Sequence, residues 1–139
     1  MSTLQDASVI VARDAEGKVA ILSSRTAPHG DVFLPGGRRD PAETPEDCAR
    51  RELKEEAGVT AERWRHLGTY PLDPGNPSRI SLFLAEDLTL GPQELTESEE
   101  DFKLSWWPMR EALTAVSEGR FFLPSGPLAL FLADRVVHP

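Results

Sequence analysis

The segment Gly37–Val59 constrains this chain more than any other part of it. Glu43 follows Gly37 after five residues, and Arg51-Glu52-Leu53-Lys54-Glu55-Glu56-Ala57-Gly58-Val59 follows Glu43 after seven more. Thr44-Pro45-Glu46-Asp47 predicts a helix start, with Thr44 as N-cap, Pro45 at the first position and acids in the first turn. Gly58 predicts its stop, as the residue just past Ala57. At about 100° per residue, Glu52, Glu55 and Glu56 share one helix face. Like charges at that spacing cost roughly a few tenths of a kcal/mol per pair. They also lie toward the helix C-terminus, where the macrodipole disfavours anions. Only Arg51 is spaced to pair with them. One reading is a solvated acidic face. The other is a site for a hard divalent cation, Mg²⁺ or alternatively Mn²⁺, which prefers oxygen ligands and leaves positions for water and phosphate. Taking about one in twenty per fixed position, the whole spaced pattern arises by chance below about 10⁻⁹ per starting point, which favours the second reading.

Composition narrows the partners. The chain has 139 residues, 15 Lys+Arg and 23 Asp+Glu, a net charge of −8. That length suits one domain, residues 1–139, able to bury a core without metal or disulfide staples. The deficit of basic residues argues against duplex nucleic acid or an anionic membrane as a partner. A single cysteine, Cys48, excludes an internal disulfide and points to a reducing, cytoplasmic setting. No apolar run reaches the length of a membrane span, and the first residues do not resemble a secretion signal.

Along the chain, Ala7–Ala12 and Lys18–Ser23 read as two buried strands joined in a hairpin by Asp14-Ala15-Glu16-Gly17. Residues 31–37 form a brief extended piece ended by Pro35 and two glycines. Strands are expected at Glu62–Tyr70 and Ile80–Ala85, with a proline-rich loop over residues 71–77 between them. A further strand is expected at Lys103–Trp107, a helix at Met109–Ser117 and a terminal helix at Pro127–Val136. Strands interleaved with two or three helices give an α/β (α+β) domain.

The pattern from Gly37 to Val59 resembles the Nudix box, the signature of hydrolases acting on a nucleoside diphosphate linked to another moiety. The resemblance implies a loop–helix–loop packed on a mixed sheet in an α/β/α sandwich. It implies that Glu52, Glu55 and Glu56 are the divalent-metal ligands, with Mg²⁺ or Mn²⁺ as cofactor. Arg51 and Glu43 would form an ion pair orienting the helix. Gly36 and Gly37 would bring a backbone carbonyl to the metal.

Downstream, Pro74-Gly75 and Leu82-Phe83-Leu84-Ala85 resemble features of ADP-ribose pyrophosphatases. So does the acidic stretch Glu97-Ser98-Glu99-Glu100-Asp101, where such enzymes supply a catalytic base or extra metal ligand. Counting back from the strand makes Glu100 the first choice, with Glu97 and Glu99 in reserve; a box glutamate as base stays open. Arg25, Arg38, Arg39 and Arg79 are candidates for gripping the outer phosphate or ribose, or are plain surface charges. Only 36 residues precede Gly37, fewer than in those enzymes, so their dimer contacts and adenine-stacking residues do not transfer, although a homodimer is kept open. The expected substrate is a small nucleotide, ADP-ribose or a nucleotide sugar. The alternatives are a nucleoside triphosphate or dinucleoside polyphosphate hydrolase, or a binding module without turnover.

Other residues fit structural roles. Trp64, Trp106 and Trp107 read mainly as core, against a base-stacking role. His29, His66 and His138 lie too far apart in sequence to suggest zinc. Cys48, inside the helix, reads as packing.

Overall fold

The computed structural model describes residues 5–25, 27 and 31–139; His29 lies outside them. Among the described residues, seven strands and three helices run in the order β1 (Ala7–Ala12), β2 (Lys18–Ser23), β3 (Val32–Phe33), β4 (Gly36–Arg38), α1 (Pro45–Ala57), β5 (Val59–Asp73), β6 (Asn76–Leu90), β7 (Lys103–Pro108), α2 (Met109–Ser117) and α3 (Ser125–Val137). A short 3₁₀ turn, Glu97–Glu99, precedes β7. One sheet has the order β4-β1-β6-β5 and the other β3-β2-β7. The first is mixed: β1 runs parallel to β6 and antiparallel to β4.

β1 and β2 do not form the expected hairpin. They meet only at a single bridge between Arg13 and Val19 and then pass into different sheets. The reason lies in edges. β1 is flanked by β4 at Ala7–Val9 and by β6 along its length, and β2 is flanked by β3 and β7. The far end of each strand is taken by a different partner, β4 at Ala7–Val9 and β3 at Leu22–Ser23, which holds the two in separate sheets. Turn composition between two apolar runs signals a reversal, not which strands pair.

The strands of the middle layer are buried on both sides, so they read as continuous apolar runs. Alternation sends Val9, Val11, Val19, Ile21, Leu82 and Leu84 one way, against Met109 and Ala112 of α2 and Ala129, Leu130 and Ala133 of α3. Ile10, Ala12, Ala20, Phe83 and Ala85 go the other way, against Ala49, Leu53 and Ala57 of α1. The result is the expected sandwich, with α1 on one side and α2 and α3 on the other.

The proline-rich loop contracts to a two-residue turn at Pro74-Gly75, and β5 and β6 extend toward it. Asp73 accepts the Gly75 N–H at 2.9 Å and Asn76 accepts the Ser78 N–H at 2.9 Å. Pro71 sits on an edge strand beside a register shift, a place where strands tolerate proline.

Candidate functional site

The helix that carries the acids is fixed by its caps. Thr44 accepts the Asp47 N–H at 3.1 Å, and Asp47 accepts the Thr44 N–H in return. Gly58 takes the left-handed conformation at φ 69° and donates to the Leu53 and Lys54 carbonyls. The capped helix lies against β1 and β4, and Ser8 Oγ of β1 donates to the Pro45 carbonyl at 2.8 Å. The Cys48 thiol donates to the Gly37 carbonyl at 3.5 Å and is pushed up to about 11, chiefly by burial.

Arg51 organises the acidic face. Its Nε and Nη2 grip both Glu43 oxygens, at 2.6 and 2.9 Å, so the ion pair implied by the resemblance is present. Nη1 donates to Glu52 at 2.9 Å and to Glu55 at 3.1 Å, and Nη2 also donates to the Arg38 carbonyl at 3.1 Å. These bonds, with Glu43 first, raise the guanidinium pKa further above its already high value. The Glu43 carboxyl is correspondingly held below its ordinary range by the Arg51 hydrogen bond.

Glu52 and Glu56 are buried, whereas Glu55 is half-exposed and turned to Arg51. Burial pushes Glu52 up to about 7, against the pull of Arg51. Burial likewise pushes Glu56 up to about 9, although the Gly36 N–H donates to it at 2.9 Å. Gly36 therefore meets the site through its N–H. Glu52, Glu56 and Glu99 each offer a carboxylate oxygen, and these atoms lie within 4.8 Å of one another.

Of the three loop acids, the structure thus brings Glu99 to the helix, where the sequence favoured Glu100. Successive side chains of a 3₁₀ turn fan out by about 120°, so only one of these neighbours faces inward. Glu97 and Glu100 are exposed. Counting back from β7 misses this direction.

The cluster fits a hard divalent cation. Buried carboxylates this close repel one another unless a cation or protons intervene. Close approach is also required at Gly37, where an added Cβ would stand 2.5 Å from Oε1 of Glu52.

A cavity of about 350 Å³ opens beside the cluster, lined by Glu56, Gly36, Gly37 and Arg38 at one end. Phe33, Leu34, Ile80, Phe102, Phe122 and Leu123 supply mostly hydrocarbon walls. Phe33 and Phe102 meet edge to face at 5.1 Å. Of the four candidate arginines, Arg38 reaches the cavity wall. Arg25 pairs with Asp101 at 3.7 Å, Arg39 is committed to Asp6 and the Glu43 carbonyl, and Arg79 is exposed on β6. None of Trp64, Trp106 and Trp107 lines the cavity; they pack against the two cores. The aromatic lining was not singled out in the sequence, because Phe33, Phe102 and Phe122 converge from distant segments.

Residues 3–124 match the family model for the NUDIX domain. An ADP-ribose pyrophosphatase of Mycobacterium tuberculosis is 33% identical over 118 residues, covering 81% of this chain and 57% of that protein. One of Bacillus subtilis is 31% identical over 99 residues, covering 69% of this chain and 54% of that protein. The chain thus spans little more than half the length of these two relatives. A crystal structure of an ADP compounds hydrolase shares the fold at a TM-score of 0.83 and 22% identity, covering 97% of this chain and 74% of that one. With its spaced acids on a capped helix and most of its length matched, the chain belongs to the NUDIX domain family.

Proposed function

We infer that this chain hydrolyses the pyrophosphate bond of a nucleoside diphosphate linked to a second group, with ADP-ribose or a nucleotide sugar as the expected substrate. The observation that carries the reading is the contiguity of the Glu52, Glu56 and Glu99 carboxylates with a cavity of nucleoside size. Two relatives named as ADP-ribose pyrophosphatases support the substrate class.

Glu52, Glu56 and Glu99 would hold Mg²⁺ or Mn²⁺, and Glu55 would stand in reserve beside Arg51. The cation, when bound, neutralises charge on the phosphates and acidifies water. Arg51 keeps Glu52 and Glu55 in place through its shared guanidinium. The Gly36 N–H orients Glu56. Phe33, Phe102 and Phe122 would receive the base by stacking and shape, and Arg38 at the cavity wall would meet phosphate or ribose. A carboxylate of the cluster would take the proton of the attacking water. Attack at one phosphorus splits the P–O–P bridge into a nucleoside monophosphate and a phosphorylated second group. From ADP-ribose these are AMP and ribose 5-phosphate.

The test is a panel of ADP-ribose, sugar nucleotides, NADH, diadenosine polyphosphates and dNTPs with Mg²⁺, read by product chromatography. Cleavage of ADP-ribose or a sugar nucleotide to a nucleoside monophosphate is the expected result. Preference for dNTPs or dinucleoside polyphosphates would overturn the substrate class, and saturable binding without products would overturn catalysis.

A further inference from the structure

Helix α1 ends in carbonyls that its own backbone leaves without partners. The segment after β6 supplies them. The Gly91 N–H donates to the Gly58 carbonyl at 2.7 Å, and the Glu94 N–H donates to the Glu55 carbonyl at 2.8 Å. Between them, the Gln93 carboxamide nitrogen donates to the Glu56 carbonyl at 2.8 Å and, at 3.4 Å, to the Phe102 carbonyl. One side chain therefore joins the main chain of a cluster residue to the strand side of the Glu97–Glu99 turn.

We propose that Gln93 is a positioning residue: its two amide hydrogens strap the segment bearing Glu99 onto the end of α1, so that Glu99 faces Glu52 and Glu56 before any cation arrives. The inference rests on the reading of those three acids as cation ligands.

The rest of the segment is built to transmit that anchoring. At its far end Asp101 accepts Ser24 Oγ at 3.0 Å and the Arg25 N–H at 2.7 Å. Phe102 packs edge to face on Phe33. Between the anchors, the Thr96 N–H donates to Glu99 Oε1 at 3.3 Å, which directs the side chain. The turn closes through the Glu99 N–H on the Thr96 carbonyl and the Phe102 N–H on the Glu99 carbonyl. Three neighbouring carboxylates repel, and a free segment would swing Glu99 away and regain conformational entropy. The strap opposes both. Held in advance, Glu99 adds no ordering cost when a cation binds.

The donors can be removed without the packing. Gln93→Met keeps the length and loses both hydrogen bonds, whereas Gln93→Lys keeps a donor head. Hydrogen exchange on the cation-free protein reads the amides of Glu94, Glu99 and Phe102, and calorimetry reads Mn²⁺ affinity. The Met variant is expected to exchange those amides at least about tenfold faster. Its Mn²⁺ affinity is expected to fall about tenfold, with the Lys variant restoring both. Unchanged exchange in the Met variant overturns the strap, as does unchanged Mn²⁺ affinity. If the Met variant does not fold, the Lys variant decides: wild-type exchange supports the strap and loosened exchange overturns it. A wild-type chain that binds no Mn²⁺ would instead sink the cation reading, which the exchange measurement does not depend on.

Discussion

A methyl group at Gly37 would collide with the Glu52 carboxylate, standing 2.5 Å from its Oε1. The end of a glutamate can swing aside, so the chain should still fold, but with the carboxylate displaced. Gly37→Ala is therefore expected to weaken Mn²⁺ binding about tenfold, by calorimetry, with an unchanged circular dichroism spectrum. Arg51→Lys tests a different residue-scale demand. A lysine keeps the charge but cannot fork onto both Glu43 oxygens while reaching Glu52 and Glu55. Turnover is expected to fall at least about tenfold, with Glu43 titrating closer to its ordinary range in NMR. The residues of the helix face were legible in the sequence because their relation is local, set by 3.6 residues per turn. Glu99 was legible only as one of several loop acids, since its direction depends on a turn clamped from 37 residues away by the bond of Gln93 to the Glu56 carbonyl.

At the scale of the element, α1 was legible from end to end. Its signals are reciprocal capping by Thr44 and Asp47 and the left-handed Gly58, all within the helix and its flanks. Thr44→Ala should cost about 1 kcal/mol in denaturant unfolding. Gly58→Ala should cost more than the roughly 1 kcal/mol of left-handed strain, because a Cβ there would also meet the Gly91 and Pro92 backbone. An equal or smaller loss than at Thr44 would contradict that close approach. The pairing of β1 with β4 and β6, by contrast, joins residues far apart in the chain, and a turn sequence carries no record of it. The reach of β5 and β6 toward Pro74-Gly75 was hidden for a related reason. Three prolines suggested irregularity, where an edge position and a register shift accommodate Pro71 and the turn takes Pro74.

Across the whole molecule, two apolar clusters share one layer of strands. Leu53→Ala on the α1 side and Leu130→Ala on the α3 side should each cost about 2–5 kcal/mol. If the clusters are energetically separate, the double variant should lose the sum within about 0.5 kcal/mol. Acid should loosen the assembly where carboxylates join distant segments. Asp6 accepts the Arg79 N–H and pairs with Arg39, and the first of these, working against burial, holds it below its ordinary range. Asp101 is lowered by the Arg25 N–H and Ser24 hydroxyl. For a lowered carboxylate the stabilisation is fully present above the unfolded value and is lost as pH falls through the folded one. Unfolding free energy should therefore decline below about pH 4 and recover on return, with the Asp6 resonance tracking the loss.

The cavity lies where the two sheets part company. Ala7, Val9 and Gly36–Arg38 come from one sheet and Phe33 from the other, with Ser24 just past the end of β2. The chain crosses between them at Leu34-Pro35, immediately before the glycines that touch the acids. Mutations that alter how far the sheets splay would reshape the chamber while sparing the acidic helix. Such a lineage can trade one clientele for another and inherit its cleavage chemistry intact.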